Sequence, residues 1–371
     1  AGEMAWREDN RRKPNGTLQK GDFPFHKLSD INDRKSSVIS DVNDVASSQG
    51  VTLEKFIAMA LGGQQEQRSV VADGVFNVKG INTRRVEPRN TPTVINAVFN
   101  LRNFWDGRAQ DQFNGVNPFG KRDQTAKVWK ATKPVDLKQV AIDLDNSSLA
   151  SQAVGPPGSD FEMSAMGRTF PDLGRKLLNR RPLALQRVHR EDSVLGSRSL
   201  SPLPGLSTLT YAELVQTAFK KEWWQGALMI KGYTHMETNF SLYFGLAIQM
   251  YEATLVSDQT PFDDYAEGKT NALTEQQKRG LDLFFGDAHC ANCHGGAEFT
   301  KATVHHIKNE RLENMIMGDG GKAFYDSGFY NIGVRPSFED PGVGGVDPFV
   351  NPLSFTAQYA EHHTNENVFQ L

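Results

Sequence analysis

Cys290-Ala291-Asn292-Cys293-His294 is the stretch with the most chemistry in it. Two thiols three positions apart, followed at once by an imidazole, match the attachment pattern of a c-type haem. The thiols would become thioether links to the porphyrin vinyl groups, and His294 would sit beneath the iron as an axial ligand. The chain has 2 cysteines in all, so it holds thiols for one such group. Two other chemistries use the same residue types. A zinc site needs a fourth ligand beyond these three, for which His289, His305 and His306 are candidates. A thioredoxin-like dithiol sits near a βαβ pattern, and the surrounding sequence carries none. The histidine directly after the second cysteine favours covalent haem over both.

Iron held by His294 has a second axial position. A thioether there raises the potential and an imidazole keeps it lower. Met315 and Met317 lie a short loop beyond the motif, His305 and His306 lie closer, and His362 and His363 lie in the tail. A ligand from outside the chain, or an open position, fits the sequence as well as any of these. His289, next to Cys290, is expected at the edge of the group rather than on the metal.

The elements that must position this loop come next. Thr274 with Gln277 three residues on is a capping box, opening a helix through Phe285 that delivers Cys290; Gly286 ends it. Asn239–Leu255 places aromatic and aliphatic residues at i, i+3, i+4 spacing, the pattern of a core helix. Tyr211–Trp224 reads as a helix with Thr210 and Glu213 as its box, and Phe170–Arg180 as another. Val51–Leu61 has helical periodicity, with Thr52 as its cap and Gly62-Gly63 as its stop. Pro92 suits a first helical turn, for a helix running to about Asn100. Short helices broken by Asp and Asn are expected over 134–149. Asn103–Arg108 forms a turn carrying Trp105, and 114–122 is loop. Gly155-Pro156-Pro157-Gly158-Ser159 is the clearest linker.

With 371 residues the chain has room for two or three domains and a sizeable core. A net charge of −3 and a pI near 6.3 give no basic footprint for nucleic acid. No apolar run reaches the ~18 residues of a membrane span. The 33 glycines and 17 prolines, spread along the chain, predict many loops around short helices. Ala1 follows no basic or apolar leader, so a mature chain or a piece of a longer one is expected.

Arg89-Asn90-Thr91-Pro92-Thr93, then Phe104-Trp105-Asp106-Gly107-Arg108-Ala109, then Leu273–Gln277 leading to the Cys-x-x-Cys-His, then Phe329-Tyr330-Asn331-Ile332-Gly333, together resemble the bacterial di-haem cytochrome c peroxidase and MauG superfamily. Asp22–His26, Asn114–Gly120 and Gly174–Leu178 look nearest to its rubber-oxygenase-like branch. The resemblance implies a mainly α fold: cytochrome c-like helical haem domains with long loops and little sheet. It implies residues 1–155 as the remainder of an N-terminal haem domain without its own Cys-x-x-Cys-His, and 156–371 as the C-terminal haem domain. It implies calcium between the domains with Asn90 as a ligand, Trp105 as a relay between two haems, and His294 on the electron-transfer haem. Family peroxidases carry a glutamate shortly after the Asn-Pro of this region. Here Asn117-Pro118 is followed by Phe119, which cannot move protons and would exclude water from a distal pocket.

Two functions follow. One is a haem c oxidoreductase reacting with peroxide or oxygen at one haem, with electrons passing through the haem at 290–294. The other is a single-haem electron-transfer subunit of a larger complex. The first expects a second haem from a segment or redox partner packed on residues 20–150. Both imply export to the periplasm, where c-type haem is attached.

Overall fold

The computed structural model describes residues 26–33, 35–41, 50–59, 65–87, 91–207, 210–316, 318–330 and 344–364. Among these, strands occur in two-stranded pairs: β1 (His26–Leu28) with β2 (Val38–Asp41), β3 (Glu54–Met59) with β4 (Glu66–Val70), β5 (Asn77–Val78) with β6 (Ile81–Asn82), β7 (Val128–Lys133) with β8 (Asp136–Val140), and β9 (Leu312–Ile316) with β10 (Lys322–Asp326). The helices are α1 (Ser148–Ala153), α2 (Phe170–Leu177), α3 (Tyr211–Ala218), α4 (His235–Thr238), α5 (Phe240–Glu252), α6 (Pro261–Ala266), α7 (Glu275–Phe285), α8 (Val304–Ile307) and α9 (Phe355–Thr364). The helices are short and the connecting loops long, and no sheet among the described residues exceeds two strands. No helix among the described residues is long and apolar enough to cross a membrane.

Among the described residues the chain forms two compact units, each drawn from three stretches: up to 91, 129–138 and 156–240 in the first, and 92–128, 139–155 and from 241 onward in the second. In the first, Glu66 at the start of β4 is the charge hub. Its side chain is 1% exposed and meets Arg168 at 2.9 Å and Lys176 of α2 at 2.8 Å, with Arg68 also paired to it. A carboxylate buried this deeply needs such partners. Burial alone would raise its pKa, but Lys176, Arg68 and Arg168 outweigh burial and hold it at about 2. A second lock joins His235 and Asn239 to the chain at Trp129. His235 is fully buried, receives Gly226 N–H on Nδ1 at 2.9 Å, and donates from Nε2 to the Trp129 carbonyl at 2.9 Å. Asn239 donates to the carbonyls of Trp129 and Trp223 and accepts from Trp129 N–H.

In the second unit, α5 carries the apolar stripe expected of it: Leu242 and Tyr243 are 3% and 2% exposed. Gly245 lets the helix approach Phe113; a Cβ there would stand 2.8 Å from that ring. Ser241 donates to the Gly115 carbonyl and Gln249 accepts from Ala150 N–H, tying α5 to the loop before β7 and to α1. A smaller core gathers Leu101, Ile307 and Phe355, with Val304, Leu312 and Phe329 against it.

Three expected elements differ. Val51–Leu61 is not a helix; its middle forms β3, paired with β4 through a bulge between Phe56 and Ala58. Phe56 and Ile57 suit a pleated strand, and β4 supplies the partner that periodicity cannot show. The stretch after Pro92 forms only a 3-10 turn, Ala97–Phe99, because Asn96 takes a left-handed conformation (φ 62). Asn96 is held there by its amide donating to Leu255 O and its side chain accepting from Ser257 N–H. Over 134–149, β8 occupies 136–140 and a helix starts only at Ser148.

Candidate functional site

α7 begins as its capping box requires: Thr274 Oγ1 accepts from Gln277 N–H at 3.3 Å and Gln277 Oε1 accepts from Thr274 N–H at 2.8 Å. It buries no side chain fully. At its end Gly286 N–H still donates to Asp282 O at 2.8 Å. His289 then turns left-handed (φ 55), which throws the chain into a 3-10 turn over Cys290–Asn292. Cys293 N–H and His294 N–H both donate to the Cys290 carbonyl, at 3.3 and 2.9 Å. The motif is therefore one closed backbone turn.

Neither cysteine is in a disulfide, and both are half-buried. His294 is exposed, and its Nδ1 lies 3.2 Å from the Phe299 carbonyl. That oxygen can only accept, so Nδ1 carries the proton and Nε2 keeps its lone pair free for a metal. Phe299 is anchored edge-on against Phe262 and Phe284, with ring centroids 5.0 and 5.6 Å away. Leu283 and Phe285, at the end of α7, are each 55% exposed. Two unbonded thiols, an imidazole with its far nitrogen engaged, and bare apolar surface beside them suit an attached porphyrin. They suit zinc less well: among the described residues no three or more His, Cys, Asp or Glu side chains converge as a metal site.

Beyond the loop the chain meets the segment that carries Trp105. Leu101 N–H donates to Ala302 O at 3.0 Å, and Asn100 bridges to Thr303. From there Asn103 and Ala109 exchange backbone hydrogen bonds across a tight turn. Phe104 (φ 64) and Gly107 (φ 66) both take left-handed conformations in it. Arg108 binds Asp106 at 2.9 Å and lies over the Phe104 ring, while Gln110 donates to the Gly107 and Arg108 carbonyls. A Cβ on Gly107 would stand 3.4 Å from the Phe329 ring. Trp105, half-buried, is thus presented on a turn braced from both sides, within the unit that holds the cysteine motif.

One network was not anticipated. Glu313 on β9 is 6% exposed and accepts from Tyr330 at 2.7 Å and Ser327 at 2.9 Å, with Lys301 at 3.2 Å. Burial pushes its carboxyl up, but these three partners hold it below the usual range. Tyr330 is driven well above its ordinary value by burial and by Glu313, with Cys293 adding in the same direction. The network thus reaches toward the second cysteine. Its residues come from the segment after the cysteine turn, from strand β9 and from the turn after β10, and nothing in their local sequence marks the convergence. The Phe299 carbonyl could not have been found either, since a backbone oxygen has no residue signature.

Of the other expected site residues, Met315 is half-buried on β9, with Glu313 on the same strand face. His305 is exposed on α8; it lines an open cavity of about 570 Å³ with Phe99, Asn146 and Glu298. His306 is half-buried, with Nε2 3.6 Å from Glu313. His362 and His363 fall on α9, and nothing is described of their side chains. Phe119 is half-buried and packs edge-on against Phe349 at 5.9 Å. Asn90 and Met317 lie outside the described residues.

A family model described as di-haem cytochrome c peroxidase matches residues 61–271, which ends before Cys290. Cytochrome c551 peroxidase of Pseudomonas aeruginosa is 30% identical over 209 residues, covering 56% of this chain and 37% of that protein. Cytochrome c peroxidase Ccp of Escherichia coli is 27% identical over 230 residues, covering 60% of this chain and 31% of that protein. Methylamine utilization protein MauG of Methylorubrum extorquens is 43% identical over 61 residues, 16% of this chain and 17% of that protein. The chain thus spans about a third of the length of the first two relatives.

Proposed function

The chain belongs to the di-haem cytochrome c peroxidase family, and on that premise we propose that it is a haem c oxidoreductase, reacting with peroxide or oxygen at one haem and passing electrons through the haem on Cys290, Cys293 and His294. The observation that carries this reading is the state of the motif: two thiols outside any disulfide in one closed turn beside a histidine whose Nδ1 is already engaged. A c-type haem supplies one-electron chemistry at its iron when bound.

The chain's own residues do the rest. Cys290 and Cys293 fix one edge of the porphyrin. The Phe299 carbonyl holds the His294 proton on Nδ1, which orients the ring and leaves Nε2 to face a metal. Leu283 and Phe285 offer apolar surface that sheds water when covered. Trp105 serves as a relay, because an indole is polarisable and its turn is too constrained to let it swing. Phe119 keeps water out of the pocket where a family glutamate would move protons. Attachment of the haem outside the cytoplasm places the protein in an exported compartment.

A pyridine haemochrome spectrum with the intact mass of the chain tests this. One covalently bound haem per chain is expected, lost in the Cys290→Ala/Cys293→Ala variant. A chain carrying zinc or a disulfide there would end the reading. Phe119 at the glutamate's place favours a second reading, a single-haem electron-transfer subunit. The haem-to-protein ratio of the native particle separates the two: two haems support the enzyme, one supports the carrier.

A further inference from the structure

The second unit contains a cavity of about 420 Å³ whose wall is strongly basic. Arg102, Lys121, Arg122, Lys308 and Arg311 line it, with Leu101 and Phe355 as apolar floor. Three of these cations already have an acid. Lys121 meets Asp143 at 2.7 Å, Arg122 meets Asp347 at 3.1 Å, and Lys308 meets Asp111 at 3.6 Å. Among the described residues, Arg102 and Arg311 have no carboxylate within ion-pair distance. Arg102 is 5% exposed, donates to the Leu353 carbonyl at 2.7 Å, and lies 3.7 Å above the Phe355 ring. Arg311 approaches the same ring at 5.6 Å. Asp326 acts on Arg102 as a countercharge, but its oxygens are taken by Ser354, by Thr356 and by the Phe355 amide.

Clustered buried guanidiniums repel one another, and each pays for leaving water. The consequence shows on Arg102: burial, then Arg122 and Arg311, depress its pKa to about 9. Arg122 adds an independent sign. Its side chain is nine-tenths buried, yet its Nε–H has no partner. On the same wall Asp111 Oδ1 and Gln358 Oε1 are unpaired acceptors. The cavity therefore lacks two things, negative charge between guanidiniums and a hydrogen-bond donor.

We propose that this cavity is a binding site for a small hydroxydicarboxylate. Two planar guanidinium forks set against one phenyl ring match two carboxylates joined by a short carbon spacer. A hydroxyl on the spacer satisfies Gln358 or Asp111. Lys121 and Lys308, at the more open side, draw the anion in.

Calorimetric titration of the haem-loaded full chain with malate, at fixed ionic strength, tests the assignment. Saturable one-site binding is expected, with inorganic phosphate at least tenfold weaker. Arg311→Gln changes an exposed side chain and should weaken malate binding about tenfold while leaving the melting temperature unchanged. Arg102→Met should abolish binding; because it removes a buried, unneutralised charge, it should melt no lower than the wild type without ligand. Absence of saturable binding, phosphate binding as tightly as malate, or full affinity in Arg311→Gln would each overturn the proposal.

Discussion

At the scale of single residues, the most consequential groups are those whose charge is dictated by burial. Glu66 is ionised only because Arg68, Arg168 and Lys176 surround it. Glu66→Gln leaves those cations without their counterion inside the first unit, and should cost about 3 kcal/mol, read as a lower urea midpoint. The acid dependence follows from the same contacts. Its folded pKa, about 2, lies below the ordinary glutamate value of 4.5. The carboxylate's stabilisation is therefore complete above about pH 4.5 and fades as the pH falls toward 2. The variant should lose that part of the acid slope. His235 has the same sign for another reason. Burial lowers its pKa from 6.5, and its Nδ1 must stay unprotonated to accept from Gly226 N–H. Stability should therefore begin to decline as the pH drops below about 6.5. A urea midpoint that is flat from pH 7 to pH 5 would contradict this.

At the scale of elements, α7 depends on its ends. With no fully buried side chain, its register rests on the Thr274–Gln277 box and the turn at Gly286. Thr274→Ala should cost about 1 kcal/mol locally, seen as faster amide exchange over the first turn of α7. Such boxes were legible in sequence because a cap is a local contract between residues three apart. Thr210–Glu213 forms the same kind of box at the start of α3. The cysteine turn belongs to this class too, since five adjacent residues specify it. The strand β3 was not legible, because Val51–Leu61 satisfies a helical period and a strand alternation nearly equally, and only β4 decides. The stretch after Pro92 failed for the opposite reason. One residue, Asn96, leaves the helical region to meet Leu255 and Ser257, more than 150 residues away.

At the scale of the molecule, what escapes the sequence is convergence. Glu313, Tyr330, Ser327 and Lys301 meet around one buried carboxylate, and Arg102, Arg122 and Arg311 meet around one cavity. Neither set has a spacing that announces it. The small core that assembles the second unit behaves alike. Ile307 is fully buried between Leu101, on the approach to the Trp105 turn, and Phe355, at the start of α9. These three positions are far apart in the chain, so the contact is global to its unit rather than local. Ile307→Ala removes packing that neither α8, four residues long, nor a nearby loop can refill. It should therefore cost about 2–5 kcal/mol, as a shifted urea midpoint with an unchanged denaturant slope. Because Leu101 pairs with Ala302 just beyond the cysteine turn, the loss should extend to the site. Amide exchange at Leu101, Asn103 and Ala109 should accelerate together in this variant. Acceleration confined to α8 would mean that the core and the candidate site are held independently.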